Sequence, residues 1–377
     1  MENGFSDFQG FYDAGAAVGS GNGPRLYDSC DQPRLLNMVN APTLVIRHCY
    51  IHAPFEALFF VPVARLPFVT ATWAWWSFSL LCAFAALFVT LPFLPWIKER
   101  IELGLVSVAI FVPIIATLFQ GQDSVITLLL FAICYAGLVR GRYALAGSAL
   151  AVAMYKPPLV LPMILLLAIA SKERLKLLAG FVTTFLLLIC AAIAAVGWKC
   201  VAGYPFLLAR FSTRDAGHYH IAEMPNLRGL AFLAFQRFIS ERSIFLIVAA
   251  LSLIVLAAAI WPLRKMKGKP EADPLAFSLF VTASVLVGYQ EYTYDLALLF
   301  LPVLLVWNSV YVQRQNLADR KLLLFGTMFL LLGSVFSLTA PSFYACAVLL
   351  FFILLARQLS TVPRAVSDRI EPVAANL

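Results

Sequence analysis

Apolar runs follow one another along most of the chain, separated by brief polar connectors. Candidate spans cover residues 71–94, 101–119, 125–139, 143–155, 157–170, 175–196, 244–262, 275–289, 296–310, 322–338 and 342–356. Runs of this kind predict an all-α, polytopic membrane protein with about eleven helical crossings. Several are short, because a helix rising 1.5 Å per residue needs about 20 residues to cross a hydrocarbon core of about 30 Å. Residues 143–155 and 157–170 fall well below that length, so the turn between them is expected below the membrane surface. Irregular backbone at that depth is tolerated only where it lines a cavity or is packed in protein. Lys156 occupies that turn. Residues 53–66 are similarly short and carry Glu56 and Arg65, which predicts a re-entrant or interfacial helix.

The connectors alternate between two kinds. One set is basic: Lys98/Arg100, Arg140/Arg142, Lys172/Arg174/Lys176, Arg264/Lys265/Lys267/Lys269, Arg314/Arg320/Lys321 and, in the tail 357–377, Arg357/Arg364/Arg369. The positive-inside rule makes this set cytoplasmic. The other set is chemically mixed and falls outside: a first loop at 1–70 with short helices, 120–124, Lys156, a long loop at 197–242, 290–295 and the turn at Pro341. Residues 1–377 thus read as one membrane-embedded domain with its chemistry on the extracytoplasmic face. The outward-facing start is preceded by neither a signal peptide nor a membrane helix, so the true start is expected upstream.

Composition agrees: 62% of residues are hydrophobic and 13% charged, and the mean hydropathy is +0.86, which excludes an ordinary soluble domain. The net charge of +8 sits in short clusters rather than along one face, so it marks topology and not a nucleic-acid footprint. Cys82, Cys134, Cys190 and Cys346 lie in apolar spans and read as small core residues. Cys30, Cys49 and Cys200 lie on the outer side, where one pair could form a disulfide. No CxxC supports a zinc or redox site.

The outer segments hold the candidate chemistry. Asp7 followed by Phe8, Phe11 and Tyr12 suits a base beside a sugar-stacking surface, although on this fragment alone Asp7 capping a helix from Phe8 is simpler. His48 and His52 have a spacing that could face one metal ion, but Pro54 argues against a regular helix there, and they read as surface or pocket-wall residues. The turn Gln120-Gly121-Gln122-Asp123 either offers amides to sugar hydroxyls or caps two helix ends. Lys156 is a functional candidate because a buried ammonium needs an anionic partner, with snorkelling as the alternative. In the long loop, Arg210, Arg214, Asp215, His218, Tyr219, His220 and Glu223 suit a phosphate-bearing ligand or a solvated loop with an amphipathic helix. Arg228, in Asn226-Leu227-Arg228-Gly229, is the one singled out for function. Tyr294-Asp295 runs straight into an apolar span, so Asp295 either caps that helix or joins Asp7, Lys156 and Arg228 in a site.

Taken in order, Asp7-Phe8 with Tyr12, the turn to Tyr27-Asp28, Pro54/Pro62/Pro67, Gly121-Gln122, Tyr143 to Gly147, Lys156-Pro157, Asn226 to Gly229 and Tyr294-Asp295-Leu296 resemble glycosyltransferase family 87. That family includes polyprenol-phosphate-mannose-dependent α-mannosyltransferases of phosphatidylinositol mannoside synthesis. The resemblance runs from Asp7 to about Pro302. It implies a C-type (GT-C-like) glycosyltransferase with the catalytic acid, Asp7, in the first outer loop. It also implies a polyprenyl-phosphate-linked sugar donor, a lipid or glycan acceptor, and a bacterial inner (plasma) membrane location with a cytoplasmic C-terminus. Two departures stand out: the family usually has a membrane helix before this acid, and commonly a His where this chain has Tyr294.

The chemistry can be argued without the name. Displacing a phosphate diester from a sugar C1 needs a base but no strong acid, because the leaving phosphate is stable as an anion. Glycosidases, by contrast, need two carboxylates. Asp7 as base, with Lys156 and Arg228 holding the donor phosphate, suffices and predicts inversion at C1. Tyr12, His52, Gln120, Gln122, Tyr294 and Asp295 are the expected sugar or acceptor contacts. No metal ligand set, nucleotide site or cofactor is called for, although a divalent metal is left open. The rival from another class is a transporter or flippase of a lipid-linked saccharide, but the internal repeat such folds tend to carry is not visible. A non-catalytic scaffold would have no reason to gather these polar residues on one side.

Overall fold

The structure, a computed structural model, describes residues 6–28, 50–211, 221–266, 268–312 and 317–361. Cys30, His48, Cys49, Arg214, Asp215, His218, Tyr219, His220, Arg314, Arg364 and Arg369 lie outside the described residues. Every element among the described residues is helical. Each of the eleven apolar segments forms a helix, and they differ in length and burial. By length and composition six could cross a membrane: Phe68–Phe93, Arg174–Val196, Glu241–Arg264, Thr293–Val312, Leu317–Thr339 and Pro341–Thr361. A bent pair makes a seventh, and Ser124–Val139, Tyr143–Tyr155, Pro157–Ala170 and Pro274–Val287 are shorter.

In chain order, α1 is Ser6–Gly19, α2 Glu56–Phe60, α3 Phe68–Thr90, α4 Pro95–Lys98, α5 Ile101–Ile110 and α6 Val112–Gln120. Then come α7 Ser124–Val139, α8 Tyr143–Val152, α9 Pro157–Ala170, α10 Arg174–Val196, α11 Trp198–Phe211 and α12 Leu227–Phe235. The last six are α13 Glu241–Ile260, α14 Pro274–Val287, α15 Phe300–Val312, α16 Leu317–Leu332, α17 Phe336–Thr339 and α18 Pro341–Thr361. The expected re-entrant helix at 53–66 resolves into the five-residue α2 and a 3-10 turn at Val63–Arg65, both packed on α1.

The core sits on α14 and α15. Both are apolar all round, and every residue from Leu275 to Leu286 and from Leu296 to Val310 is buried, as expected of helices enclosed by others. Asp273 starts α14 by accepting the Leu275 and Ala276 amides at 2.9 and 3.1 Å. At the periphery, α10 and α13 turn Leu186, Leu187, Leu246, Leu253 and Ile254 outward, the apolar exterior of a lipid-facing wall. Cys190 and Cys346 also face outward, so the expectation that they are core residues is corrected; Cys82 and Cys134 are buried. The α8–α10 contact is close because Gly147 faces the Leu177 carbonyl with no room for a Cβ. Ser148 donates across the same contact to the Gly180 carbonyl at 3.2 Å, the small-and-polar packing that membrane helices use.

Two local features place the site. The α5–α6 pair bends by 51°, where Pro113 lacks an amide proton and clashes with the preceding turn. The Val112 amide freed there donates to Ser334 Oγ at 3.2 Å. The bend aims the end of α6 at the 3-10 segment Thr293–Leu299, where Thr117 Oγ1 donates to the Tyr294 carbonyl at 3.2 Å. At the opposite end the basic connectors gather: Arg140 lies over the Phe93 ring, Arg100 over Trp96, Arg264 over Trp261 and Arg320 over Tyr311.

Candidate active site

Lys156 is the centre of the site. It stands between the 3-10 turn Ala153–Tyr155 and α9, whose first two residues, Pro157 and Pro158, have no amide to cap. Its side chain is almost fully buried. Nζ donates to Ser124 Oγ at 2.8 Å, reaches Asp123 Oδ1 at 2.9 Å and donates to Asp295 Oδ1 at 2.5 Å. Two hydrogen bonds and one ion pair therefore surround the ammonium. The Tyr294 ring lies 5.1 Å from Nζ, a cation–π contact. Burial alone would favour the neutral amine, but the Asp123 and Asp295 carboxylates override it and hold Lys156 charged.

The acids come from three places. Asp123 sits at the start of α7, yet its side chain makes no capping bond there. Burial pushes its carboxyl up; Lys156, a hydrogen bond from Glu56 and His52 together more than offset this, and Asp123 stays ionised. Asp295 accepts at both carboxyl oxygens. Its Oδ2 accepts the Tyr292 amide at 3.1 Å, while its Oδ1 accepts from Ser124 Oγ at 2.8 Å and from Lys156. Glu56, from α2, is buried and within hydrogen-bond reach of Asp123. Glu291, also buried, is bonded to Asp295. Burial raises both Glu56 and Glu291 well above the usual carboxylate range, Glu56 with help from Asp123 and Glu291 with help from Asp295.

Asp7 reaches the edge of this cluster. It lies in the first turn of α1 rather than ahead of it, and its Oδ2 accepts from Gln122 Nε2 at 2.9 Å. The dock is aromatic: Phe8 is fully buried and stacks on Trp75 with ring centroids 5.9 Å apart. Trp75 Nε1 donates to the Gly121 carbonyl at 2.8 Å. Gly121 itself is obligatory, since its φ of +69° is left-handed and a Cβ there would strike Phe8. Because Gly121 and Gln122 are adjacent, the packing that seats Phe8 also presents Asp7 to the Gln122 amide.

The other expected contacts divide. His52 joins the cluster through Nδ1, 3.2 Å from Glu56 Oε2, with its ring against Phe11 at 4.6 Å. Burial lowers its pKa, leaving a neutral imidazole. Gln122 is buried, whereas Gln120, at the end of α6, is half-buried and makes no side-chain hydrogen bond among the described residues. Tyr12 Oη donates to the Leu66 carbonyl at 2.8 Å and ties α1 to the 63–65 turn. Arg228 lies over the Tyr289 ring at 3.8 Å and donates to its carbonyl at 3.0 Å, while Asn226 Nδ2 donates to the Gly288 carbonyl at 2.7 Å. Together they brace the loop that carries Glu291 and leads to Asp295.

Sequence reasoning passed over Glu56, Ser124 and Glu291, and treated Asp123 only as part of a turn. The available signal was that Glu56 and Glu291 are acids within or beside apolar runs.

An all-helical membrane protein with a buried, charge-rich site at one end of its bundle is the class these features define. A family model of glycosyltransferase family 87 matches residues 50–288, and the chain belongs to that family. The chain is therefore a membrane glycosyltransferase. The matched region contains His52, Glu56, Gln120, Gln122, Asp123, Lys156 and Arg228, while Asp7 and Asp295 flank it. No curated protein and no solved structure matches the chain.

Proposed function

We propose that this glycosyltransferase moves a hexose, mannose by family resemblance, from a polyprenyl-phosphate donor to a lipid or glycan acceptor, with inversion at C1. The observation that carries the reading is the Asp7–Gln122 bond, which holds a carboxylate beside the buried Lys156 cluster. Asp7 is the general base: it takes the acceptor hydroxyl proton as the hydroxyl oxygen bonds to C1. The C1–O bond to phosphate breaks in the same step, and the phosphate leaves as a stable anion, so no catalytic acid is needed.

Lys156 supplies the fixed positive charge for that anion. Its bond to Ser124 is the neutral one of its three and the one it can exchange for a phosphate oxygen. Asp295 and Gln122 hold sugar or acceptor hydroxyls. Arg228 acts through Tyr289 and the 288–291 loop unless donor binding draws it inward. The gathering of basic connectors at the other end of the bundle supports an extracytoplasmic site, a cytoplasmic C-terminus and insertion in a bacterial inner membrane.

The test is label transfer in membranes from a radiolabelled polyprenyl-phosphate hexose to endogenous lipid or glycan. Asp7→Asn should lower transfer by about 10²- to 10⁴-fold at unchanged protein level. Normal transfer by Asp7→Asn removes Asp7 from catalysis. Movement of label across the membrane without a new glycosidic bond supports a flippase instead.

A further inference from the structure

His52, Glu56 and Asp123 form a compact set of one imidazole and two carboxylates, with one ligand atom from each lying within 4.8 Å of the others. We propose that they bind one divalent transition-metal ion, of the Mn²⁺ or Zn²⁺ type, which clamps the segment at 50–60 to the α6–α7 turn.

Geometry comes first. Neighbouring ligands of an ion with bonds of about 2.1 Å lie about 3.0–3.4 Å apart. The His52 Nδ1 to Glu56 Oε2 distance of 3.2 Å is already such an edge. The remaining edges close with side-chain shifts of an ångström or so.

A second observation points to a missing cation. Glu56 is 1% exposed, and its Oε1 has no hydrogen-bond partner among the described residues. Its carboxyl nevertheless faces that of Asp123, another buried acid. Two buried carboxyls pressed together away from water need either a shared proton or a cation between them. Lys156 supplies some, but it approaches Asp123 from Oδ1 and leaves Oδ2 for an ion.

The charge balance agrees. Binding displaces the proton that burial otherwise holds on Glu56; Glu56, Asp123 and Asp295 then carry three negative charges against the single ammonium of Lys156, an excess of two that one divalent ion cancels. Asp7 is held at the margin by Gln122, and Glu291 is bonded to Asp295.

The donors are also supported from behind, as metal ligands usually are. Tyr50 Oη donates to Glu56 Oε2 at 3.4 Å, Lys156 holds Asp123, and Tyr27 Oη donates to the His52 carbonyl at 2.8 Å. One nitrogen with two oxygens favours Mn²⁺ or Zn²⁺ over Ca²⁺ or Mg²⁺. The ion would tie the fold of the outer segment, and through its packing the placement of Asp7, to the membrane helices.

The experiment uses the full chain, purified in detergent, stripped with EDTA and titrated with Mn²⁺ alone. Expected are one bound Mn²⁺ per chain, a higher melting temperature, and imidazole-nitrogen coupling in the pulsed EPR spectrum. Glu56→Gln should weaken binding at least tenfold, and His52→Asn should abolish the nitrogen coupling, both at an unchanged size-exclusion profile. The wild-type EPR spectrum tests the site even if a variant fails to fold. Absence of bound Mn²⁺, or of nitrogen coupling in the wild type, overturns the proposal and leaves the Glu56–Asp123 pair sharing a proton. Equal binding by wild type and both variants places the ion elsewhere and overturns it too.

Discussion

Two buried acidic clusters cap opposite ends of the same helices, α8, α9 and α14, about 20 Å apart by the helical rise. At the basic end, Glu271 Oε1 accepts from Tyr143 Oη at 3.1 Å and from Ser171 Oγ at 3.3 Å. It precedes Asp273 and the start of α14, where the helix dipole favours negative charge. Two neutral hydroxyls on Oε1 and a helix dipole hold this lone acid, whose Oε2 has no hydrogen-bond partner among the described residues, and it pins three helix ends. At the other end, Glu56, Asp123, Asp295 and Glu291 surround one lysine, more acid than its charge balances. Burying four carboxyl groups around one ammonium serves no packing purpose that hydroxyls could not meet. On the proposed function, the first cluster belongs to the frame and the second receives a charged ligand.

The largest test of this contrast is Lys156→Met. It leaves Asp123 and Asp295 buried without their cation, a loss of about 3–5 kcal/mol, and sugar transfer should fall below detection. Adding Asp295→Asn should recover part of the melting temperature and none of the transfer. Full stability in Lys156→Met alone would mean that the acids are neutralised by something other than this lysine. Next in size is Gln122→Leu, which removes the donor to Asp7 but keeps the bulk. Losing one charge-assisted hydrogen bond of about 1.5 kcal/mol should cost transfer roughly tenfold with little change in melting temperature. Unchanged transfer would mean that Asp7 is positioned by Phe8 packing alone.

How much of this was legible in the sequence differs between the two clusters and within each. The eleven apolar segments all appear as helices, because hydrophobic run length reports local structure directly. Lys156 and Asp295 also stood out, since a charge at an apolar boundary is conspicuous without knowing its neighbours. Their convergence was expected as one of two readings, but the direct Nζ–Oδ1 contact was not, because it depends on the bend at Pro113 and the 3-10 segment at 293–299, both tertiary in effect. Glu56 went unassigned because it was read only as a flaw in a short span, when its partners lie on α7 and the segment before α2. Arg228 shows the converse: its motif was visible, but the structure stacks it on Tyr289. Glu271 was not singled out in the sequence, because nothing local says that Tyr143 and Ser171 will meet it.

A smaller effect concerns Glu291. Burial beside Asp295 raises its folded pKa above that of the unfolded chain, so the folded state binds the extra proton in between. Stability is therefore retained at low pH and lost as pH rises from the ordinary carboxylate range toward the raised pKa. Glu291→Gln keeps a proton-bearing group at every pH. Melting curves between about pH 5 and pH 9 should show wild type falling with pH relative to the variant. Parallel curves would mean that Glu291 is ionised in the fold and that the site carries one more negative charge.

The smallest expected effect on catalysis belongs to the basic end. Glu271→Gln keeps an oxygen acceptor for Tyr143 and Ser171 but removes the charge that strengthens both bonds and favours the α14 start. A loss of about 1 kcal/mol in stability follows, with transfer per folded molecule unchanged. The comparison with Lys156→Met is then direct, since one buried charge is removed at each end of the same three helices. If Glu271→Gln instead lowered transfer tenfold at equal folded protein, the helices would be relaying strain between their ends. The Glu271 cluster would then belong to the working machinery rather than to its frame.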